Sequence, residues 1–176
     1  NIAFAGFTAP KLLWMQKHEP ELFARIQKIM LPKDYLCYRM TGVHATDYSD
    51  AAGTLLLDVK NKCWSQEMLD LCHIRKEQMP ALYESYEVVG TLLPDTAREL
   101  GLSPHCKVMA GASDNAAAAI GTGTVGDGTC NISLGTSGTI FIPSTRFHQV
   151  TGHALHSFNH ADGSYHLMGC ILSAAS

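Results

Sequence analysis

Two short segments supply most of the reactive chemistry in this chain: Ala110-Gly111-Ala112-Ser113-Asp114-Asn115-Ala116-Ala117 and Ser133-Leu134-Gly135-Thr136-Ser137-Gly138-Thr139. The first offers a carboxylate and the second a pair of hydroxyls flanked by glycines. From Val108 to Thr145 the only charged side chains are Asp114 and Asp127. Asp114 is therefore expected in largely buried surroundings, where a carboxylate needs a partner or a task. One task is structural: Ser113 or Asp114 caps an alanine-rich helix and takes up its first amides. The other is chemical, because a carboxylate where a strand ends and a helix begins lies at the edge of an α/β sheet, where ligands gather. Held there in ionised form, it can accept a hydroxyl proton. The two tasks are compatible. Asn115 adds an amide that both donates and accepts, which suits the hydroxyls of a polyol.

Gly135, Thr136, Ser137 and Gly138 join two expected strands. An ordinary Gly-rich hairpin turn accounts for them. They also suit a phosphate clasp, since glycine lets the backbone turn its N–H groups together while two adjacent hydroxyls donate to phosphate oxygens. No cationic side chain accompanies them, so neutralising a phosphate here falls to Mg²⁺.

Other patterns carry less. Gly121-Thr122-Gly123-Thr124-Val125-Gly126 has the spacing of a dinucleotide loop, but it follows a helix and precedes a strand, the reverse of that fingerprint. Gly135-x-Ser137 lacks the closing glycine of a nucleophile elbow, with Thr at position 139. His153, His156 and His160 do not fall on one helix face, and with nine histidines in the chain their spacing is expected by chance. Asp47 and Asp50 read as turn and cap residues.

The chain's 176 residues can bury one core, or part of a larger one. Sixteen acidic against thirteen basic residues, with no Lys/Arg cluster, exclude a nucleic-acid partner. The apolar runs are too short for a membrane span and no leader pattern opens the chain, so no membrane partner is expected. Six cysteines without a C-x-x-C pair suit buried thiols in a reducing compartment, and the expected location is the cytoplasm. The chain begins at Asn1 and stops at Ser176 in what reads as a helix start, as a piece of a longer protein would.

Organisation changes near residue 86, giving a mainly helical part over 1–86 and an α/β part over 87–176. In the first, proline-started helices are expected over 10–17, 20–30 and 32–40, with Gly42 just past the last. Residues 47–58 read as a turn-rich connection, and Ser65 as the cap of a helix through Cys72. In the second, strands are expected over 88–93, 107–111, 129–134, 139–142 and 164–168, with helices over 94–100 and 114–120. This succession predicts an α/β fold with a helical layer contributed by the first half.

The stretch Gly6-Phe7-Thr8-Ala9-Pro10-Lys11-Leu12-Leu13-Trp14-Met15-Gln16-Lys17-His18 resembles the first signature of the FGGY carbohydrate kinases throughout its length. Further landmarks follow in that family's order: Leu31-Pro32-Lys33-Asp34-Tyr35-Leu36, Ser49-Asp50-Ala51-Ala52-Gly53-Thr54, Trp64-Ser65, and the two segments that hold Asp114 and Gly135 to Gly138. The resemblance covers essentially the whole chain and is strongest to the branch acting on xylulose.

The resemblance implies an incomplete ribonuclease-H-like domain of the actin and hexokinase type, the later part of the family's N-terminal domain. It implies ATP-dependent phosphorylation of the terminal hydroxyl of D-xylulose, with Mg²⁺, giving D-xylulose 5-phosphate. Asp114 falls on the family's catalytic base and on its sugar site, Asn115 on a sugar-binding position, and Gly135, Thr136, Ser137 and Gly138 on a motif facing the ATP phosphates. Kinases for glycerol, gluconate, ribulose or rhamnulose are the alternatives within the family, and a non-catalytic sugar-binding module the alternative outside that activity. The family's Asp-x-Gly-Thr phosphate motif, Met-His-Gly segment and C-terminal adenosine motif do not occur in these residues. The piece alone is thus expected to be inactive, to expose apolar or sheet-edge surface, and to self-associate as a homodimer.

Overall fold

The computed structural model describes residues 1–150 and 155–175. Its first half runs α1 (Thr8–His18), α2 (Pro20–Ala24), α3 (Pro32–Thr41), β1 (Ala45–Asp47), α4 (Tyr48–Ala52), β2 (Leu57–Asp58), β3 (Cys63–Trp64), α5 (Gln66–Leu71), a 3-10 turn at Lys76–Gln78 and β4 (Ala81–Tyr83). The second runs β5 (Val88–Thr91), α6 (Pro94–Leu100), β6 (Lys107–Met109), α7 (Asp114–Gly121), β7 (Asn131–Leu134), β8 (Gly138–Ser144), β9 (Leu155–Asn159) and β10 (Tyr165–Ile171).

Local chemistry sets most of these ends. Proline opens α2, α3 and α6 at a position whose N–H needs no helical partner. The Leu31 N–H donates to Asp34 Oδ2 at 3.1 Å, closing the first turn of α3, and Gly42 ends that helix in the left-handed region at φ 75°. Ser65 caps α5 by accepting the Met68 N–H.

Two expected elements differ. The helix expected over residues 20–30 stops at Ala24. Beyond it the backbone is claimed by tertiary partners: Gln78 Nε2 donates to the Ile26 carbonyl at 2.7 Å, and the Ile29 N–H donates to the Gln78 carbonyl at 2.8 Å. The apolar spacing there instead serves Phe23 and Ile29, which pack against a core of Leu12, Leu56, Leu69 and Met79. Residues 47–58 are not merely turns. They include α4, whose Ala51 and Ala52 are fully buried beside Phe158 of β9.

β7-β8-β10-β9 form one antiparallel sheet, with Phe141 opposite both Asn131 and Met168. β1 pairs with β4 in parallel, while β2 with β3 and β5 with β6 pair antiparallel. α7 lies against the large sheet through Ala116 and Ala119, which meet Phe141 and Ala161. Small side chains allow that close approach, so α7 is held at a fixed height over β8. A further cluster, Cys37, Ala45, Val89 and Ala110, packs α3 and β1 against β5 and the end of β6.

Along β8 burial alternates: Phe141 is buried, while Ile140 and Ile142 are exposed together with Ile132, Leu134 and Ile171 of the neighbouring strands. Of the cysteines only Cys37 and Cys72 are buried; Cys63, Cys106, Cys130 and Cys170 are exposed, contrary to expectation, the first three on or beside short strands and Cys170 near the end of β10, past the last residue that pairs with β9. No helix among the described residues is long and apolar enough to cross a membrane.

Candidate active site

Asp114 is the first residue of α7, immediately after the connection that leaves β6. Gly111 in that connection has φ +76°, and a Cβ there would stand 3.2 Å from Lys33 Cδ, so both backbone and packing call for glycine. Ser113 makes no side-chain cap. Instead Asp114 Oδ1 accepts the Asn115 N–H at 2.7 Å, taking up a first-turn amide, and also accepts Asn115 Nδ2 at 3.0 Å.

The expectation that Asp114 is buried does not hold: its side chain is exposed. The small residues around it are accounted for by the contact of Ala116 and Ala119 with Phe141 and Ala161. Asp114 opens onto a cleft of about 140 Å³ lined also by Phe7, Ser49, Asp50, Asn115, Phe158 and Met168. Aromatic and thioether groups thus face two carboxylates and an amide across one small space.

Asp50 and its surroundings are the part of the site that sequence reading missed. Lys33 Nζ stands 2.8 Å from Asp34 Oδ1, 2.9 Å from Asp47 Oδ1 and 3.9 Å from Asp50 Oδ2. Asp34 and Asp47 are fully buried, and Asp50 is partly so. Burial pushes the Asp50 carboxyl up to about 6; Lys33 opposes this, and the negative charges of Asp47, Asp34 and Asp114 add to it. Burial works to lower the Lys33 pKa, yet the charges of Asp47 and Asp34 outweigh it and the net direction is up. Asp47 does cap α4 by accepting the Ser49 N–H at 2.9 Å, as a turn-and-cap reading expects, but it is also the hub of this buried ion cluster. The signal lay in three aspartates answering one lysine, spread over separate elements where spacing does not reveal it.

Gly135, Thr136 and Ser137 form the exposed turn between β7 and β8, and Gly138 begins β8. The Gly135 N–H donates to the Ser137 carbonyl at 2.9 Å, and residues 174–175 add amide donors to the Thr136 and Gly135 carbonyls at 2.9 and 3.2 Å. Those bonds use carbonyls. Among the described residues nothing accepts from the N–H groups or hydroxyls of Thr136 and Ser137, so these donors are open to an anion. Gly138 is tightly seated, since a Cβ on it would come 2.8 Å from Ala174 Cβ.

Asn115 joins the two segments. Its Nδ2 donates to Asp114 while its Oδ1 accepts from Thr139 Oγ1 at 3.1 Å, one residue beyond Gly138. The sequence-expected carboxylate, amide and clasp therefore belong to one neighbourhood. Of the remaining patterns, Gly121 to Gly126 leads from the end of α7 toward β7 as expected, and the His156 ring packs against Phe7 and Phe158 of the cleft wall. His156 and His160 are buried, and His153 lies outside the described residues. No cluster of three or more His, Cys, Asp or Glu side chains among the described residues is placed to hold a metal.

Residues 1–121 match the model of the FGGY family of carbohydrate kinases, N-terminal domain. The chain belongs to the FGGY carbohydrate kinase family. It is 52% identical over 177 aligned positions to the xylulose kinase of Escherichia coli K12, an alignment covering 100% of this chain and 36% of that protein. The crystal structure of a xyloylose kinase from Brucella ovis superimposes with a TM-score of 0.96 at 46% identity, covering 99% of this chain and 36% of the other. A gluconate kinase from Lactobacillus acidophilus gives 0.87 at 30% identity, covering 93% and 33%. This FGGY chain thus spans about a third of the length of the relatives it matches; its α/β architecture is the one expected from its residues, and the actin and hexokinase type is the one implied by the family resemblance.

Proposed function

We propose that this chain carries the catalytic base and one phosphate clasp of an ATP-dependent sugar kinase that converts D-xylulose to D-xylulose 5-phosphate. The observation that carries the reading is the Asn115 side chain, which ties the Asp114 carboxylate to Thr139 beside the Gly135–Gly138 turn. A proton acceptor and a set of anion donors held in one neighbourhood are what transfer of a phosphoryl group to an alcohol requires.

In this reading Asp114 orients the terminal hydroxyl and accepts its proton. The hydroxyl oxygen forms a bond to the γ-phosphorus in line, and the bond to the bridging oxygen breaks, leaving ADP with the electron pair. The N–H and hydroxyl groups of Thr136 and Ser137 donate to the phosphate oxygens, fixing them without a cationic side chain. Asn115 donates to Asp114 and is placed to meet a neighbouring sugar hydroxyl, while Phe7, Phe158 and Met168 shape the cleft. Mg²⁺, when bound to the nucleotide, neutralises phosphate charge; the reading assigns no residue of this chain to hold it.

Xylulose as substrate is supported by the names of the relatives at 52% and 46% identity. The gluconate kinase at 30% identity keeps another polyol as the second reading. The 176 residues alone are proposed to be inactive, because they hold the base and one clasp without the family's other phosphate and adenosine motifs. Coupled ADP release by a protein of full family length carrying this segment, over xylulose, ribulose, glycerol and gluconate, tests the reading. Selective turnover of xylulose supports it; preference for another polyol changes the substrate, and no turnover with any of them contradicts kinase activity.

A further inference from the structure

The connection that carries β6 into α7 is anchored at both ends by residues far away in the chain. At its start, Lys33 Nζ donates to the Ala110 carbonyl at 3.1 Å, and the Gly111 N–H donates to the Ser85 carbonyl at 3.1 Å. At its end, the Ser113 N–H donates to Ser49 Oγ at 3.0 Å, across 64 positions of sequence. Ser49 is buried on α4, a helix itself lodged through Ala51 and Ala52 beside Phe158.

A serine hydroxyl has one proton to donate. Ser49 directs its proton to Asp47 Oδ2 at 2.5 Å, which leaves a lone pair for the Ser113 amide. Asp47 is fully buried and held by Lys33 on its other oxygen at 2.9 Å, so the direction of the Ser49 hydroxyl is set by an ion pair that cannot easily reorient. The start of α7 has no side-chain cap from Ser113, which makes the Ser49 contact the side-chain hydrogen bond that fixes the residue before Asp114.

We propose that Ser49 is a positioning residue for Asp114: through the Ser113 amide it fixes the start of α7, and with it the direction in which the Asp114 carboxylate meets the substrate hydroxyl. The proposal rests on the role given to Asp114 above. Its distinctive feature is that the effect travels through one hydroxyl and not through the general stability of the Asp47 cluster. Ser85 provides the contrast, because its Oγ donates to the same Asp47 oxygen at 2.7 Å while that hydroxyl makes no hydrogen bond to the described residues of the connection or α7.

The test uses the full-length protein and two readouts. Ser49→Ala is expected to lower kcat by ~10- to 100-fold with KM for ATP unchanged, the size of effect that a small misplacement of a reacting group produces. Ser49→Thr, which keeps a hydroxyl, restores most of that loss. Ser85→Ala stays within about threefold of the parent, a range set by loss of one hydrogen bond away from the reacting groups. Hydrogen exchange at the amides of residues 111–117 is the second readout and needs no turnover. It quickens in Ser49→Ala and not in Ser85→Ala. If Ser49→Ala does not fold, Ser49→Cys, a poorer acceptor of similar size, is read the same way.

Equal effects of Ser49→Ala and Ser85→Ala, or unchanged kcat and exchange in Ser49→Ala, overturn the proposal. Should the parent protein turn over no polyol, the kinase reading fails on its own, and the exchange comparison still decides whether Ser49 fixes the start of α7.

Discussion

Thr139 Oγ1 donates to Asn115 Oδ1 at 3.1 Å, while Nδ2 of the same amide donates to Asp114 at 3.0 Å. Thr139, on the strand that begins at Gly138, thereby fixes the Asn115 amide on α7, which in turn orients its neighbour Asp114. Thr139→Val keeps the shape and removes the donor. Without it the amide can turn, so the expected outcome is a ~3- to 10-fold rise in KM for the sugar, equivalent to about 1 kcal/mol of lost hydrogen bonding. Steady-state kinetics check this; an unchanged KM removes Thr139 from the account of the site.

Gly138→Ala is expected to disturb the clasp specifically. The added methyl would meet Ala174 Cβ at 2.8 Å, and both the turn and the segment hydrogen-bonded to it must shift. Overpacking of this kind costs about 1–3 kcal/mol. Thermal unfolding should report that loss, with KM for ATP rising more than KM for the sugar.

Lys33→Met should be far more damaging to folding. It leaves Asp34 and Asp47 buried without their cation, although the methionine stem can still fill the space under Gly111. Breaking a buried pair from one side costs about 3–5 kcal/mol. Denaturant unfolding of the variant checks the value, and Asp47→Asn in the same background should recover part of the loss.

Asp50 gives a pH dependence whose sign follows from its raised value of about 6. Between its ordinary range near 4 and about 6 the folded chain binds more protons at this carboxyl than the unfolded chain does. Its contribution therefore becomes less stabilising as pH rises through that window. Asp50→Asn should match the parent below about pH 4 and exceed it at neutral pH by up to ~2 kcal/mol. His166, held down to about 3 chiefly by burial and then by His160, contributes the opposite slope, since the unfolded chain takes up protons there first on acidification. The difference between variant and parent isolates Asp50, and chemical denaturation at pH 4, 5.5 and 7 measures it.

The elements that carry the site are legible in the sequence because local chemistry decides them. Pro94 and Gly101 bracket α6, Ser65 caps α5, and the alanines of α7 mark a helix that approaches a sheet closely. Asp114, Asn115 and the Gly135–Gly138 turn can be named from sequence for the same reason, since each sits at a boundary that its residue types announce. What is not legible depends on partners distant in sequence. Residues 26–29 leave the helical path because Gln78 binds their backbone, and Asp47 reads as a cap until Lys33 is seen against it. The exposure of Asp114 is hidden in the same way: an uncharged neighbourhood points to burial, whereas Ala116 and Ala119 are the residues buried, against Phe141 and Ala161.

The most direct test of the central claim is the Asp114→Asn variant of the full-length protein, assayed for phosphorylation of D-xylulose beside its sugar-binding affinity. Asparagine keeps the size and much of the polarity of the side chain but cannot serve as the proton acceptor. A base in this position is worth ~10²- to 10⁴-fold, so kcat should fall by that factor while xylulose still binds within about tenfold of the parent. Turnover close to the parent's, in a folded variant, would contradict the role of Asp114 as the base.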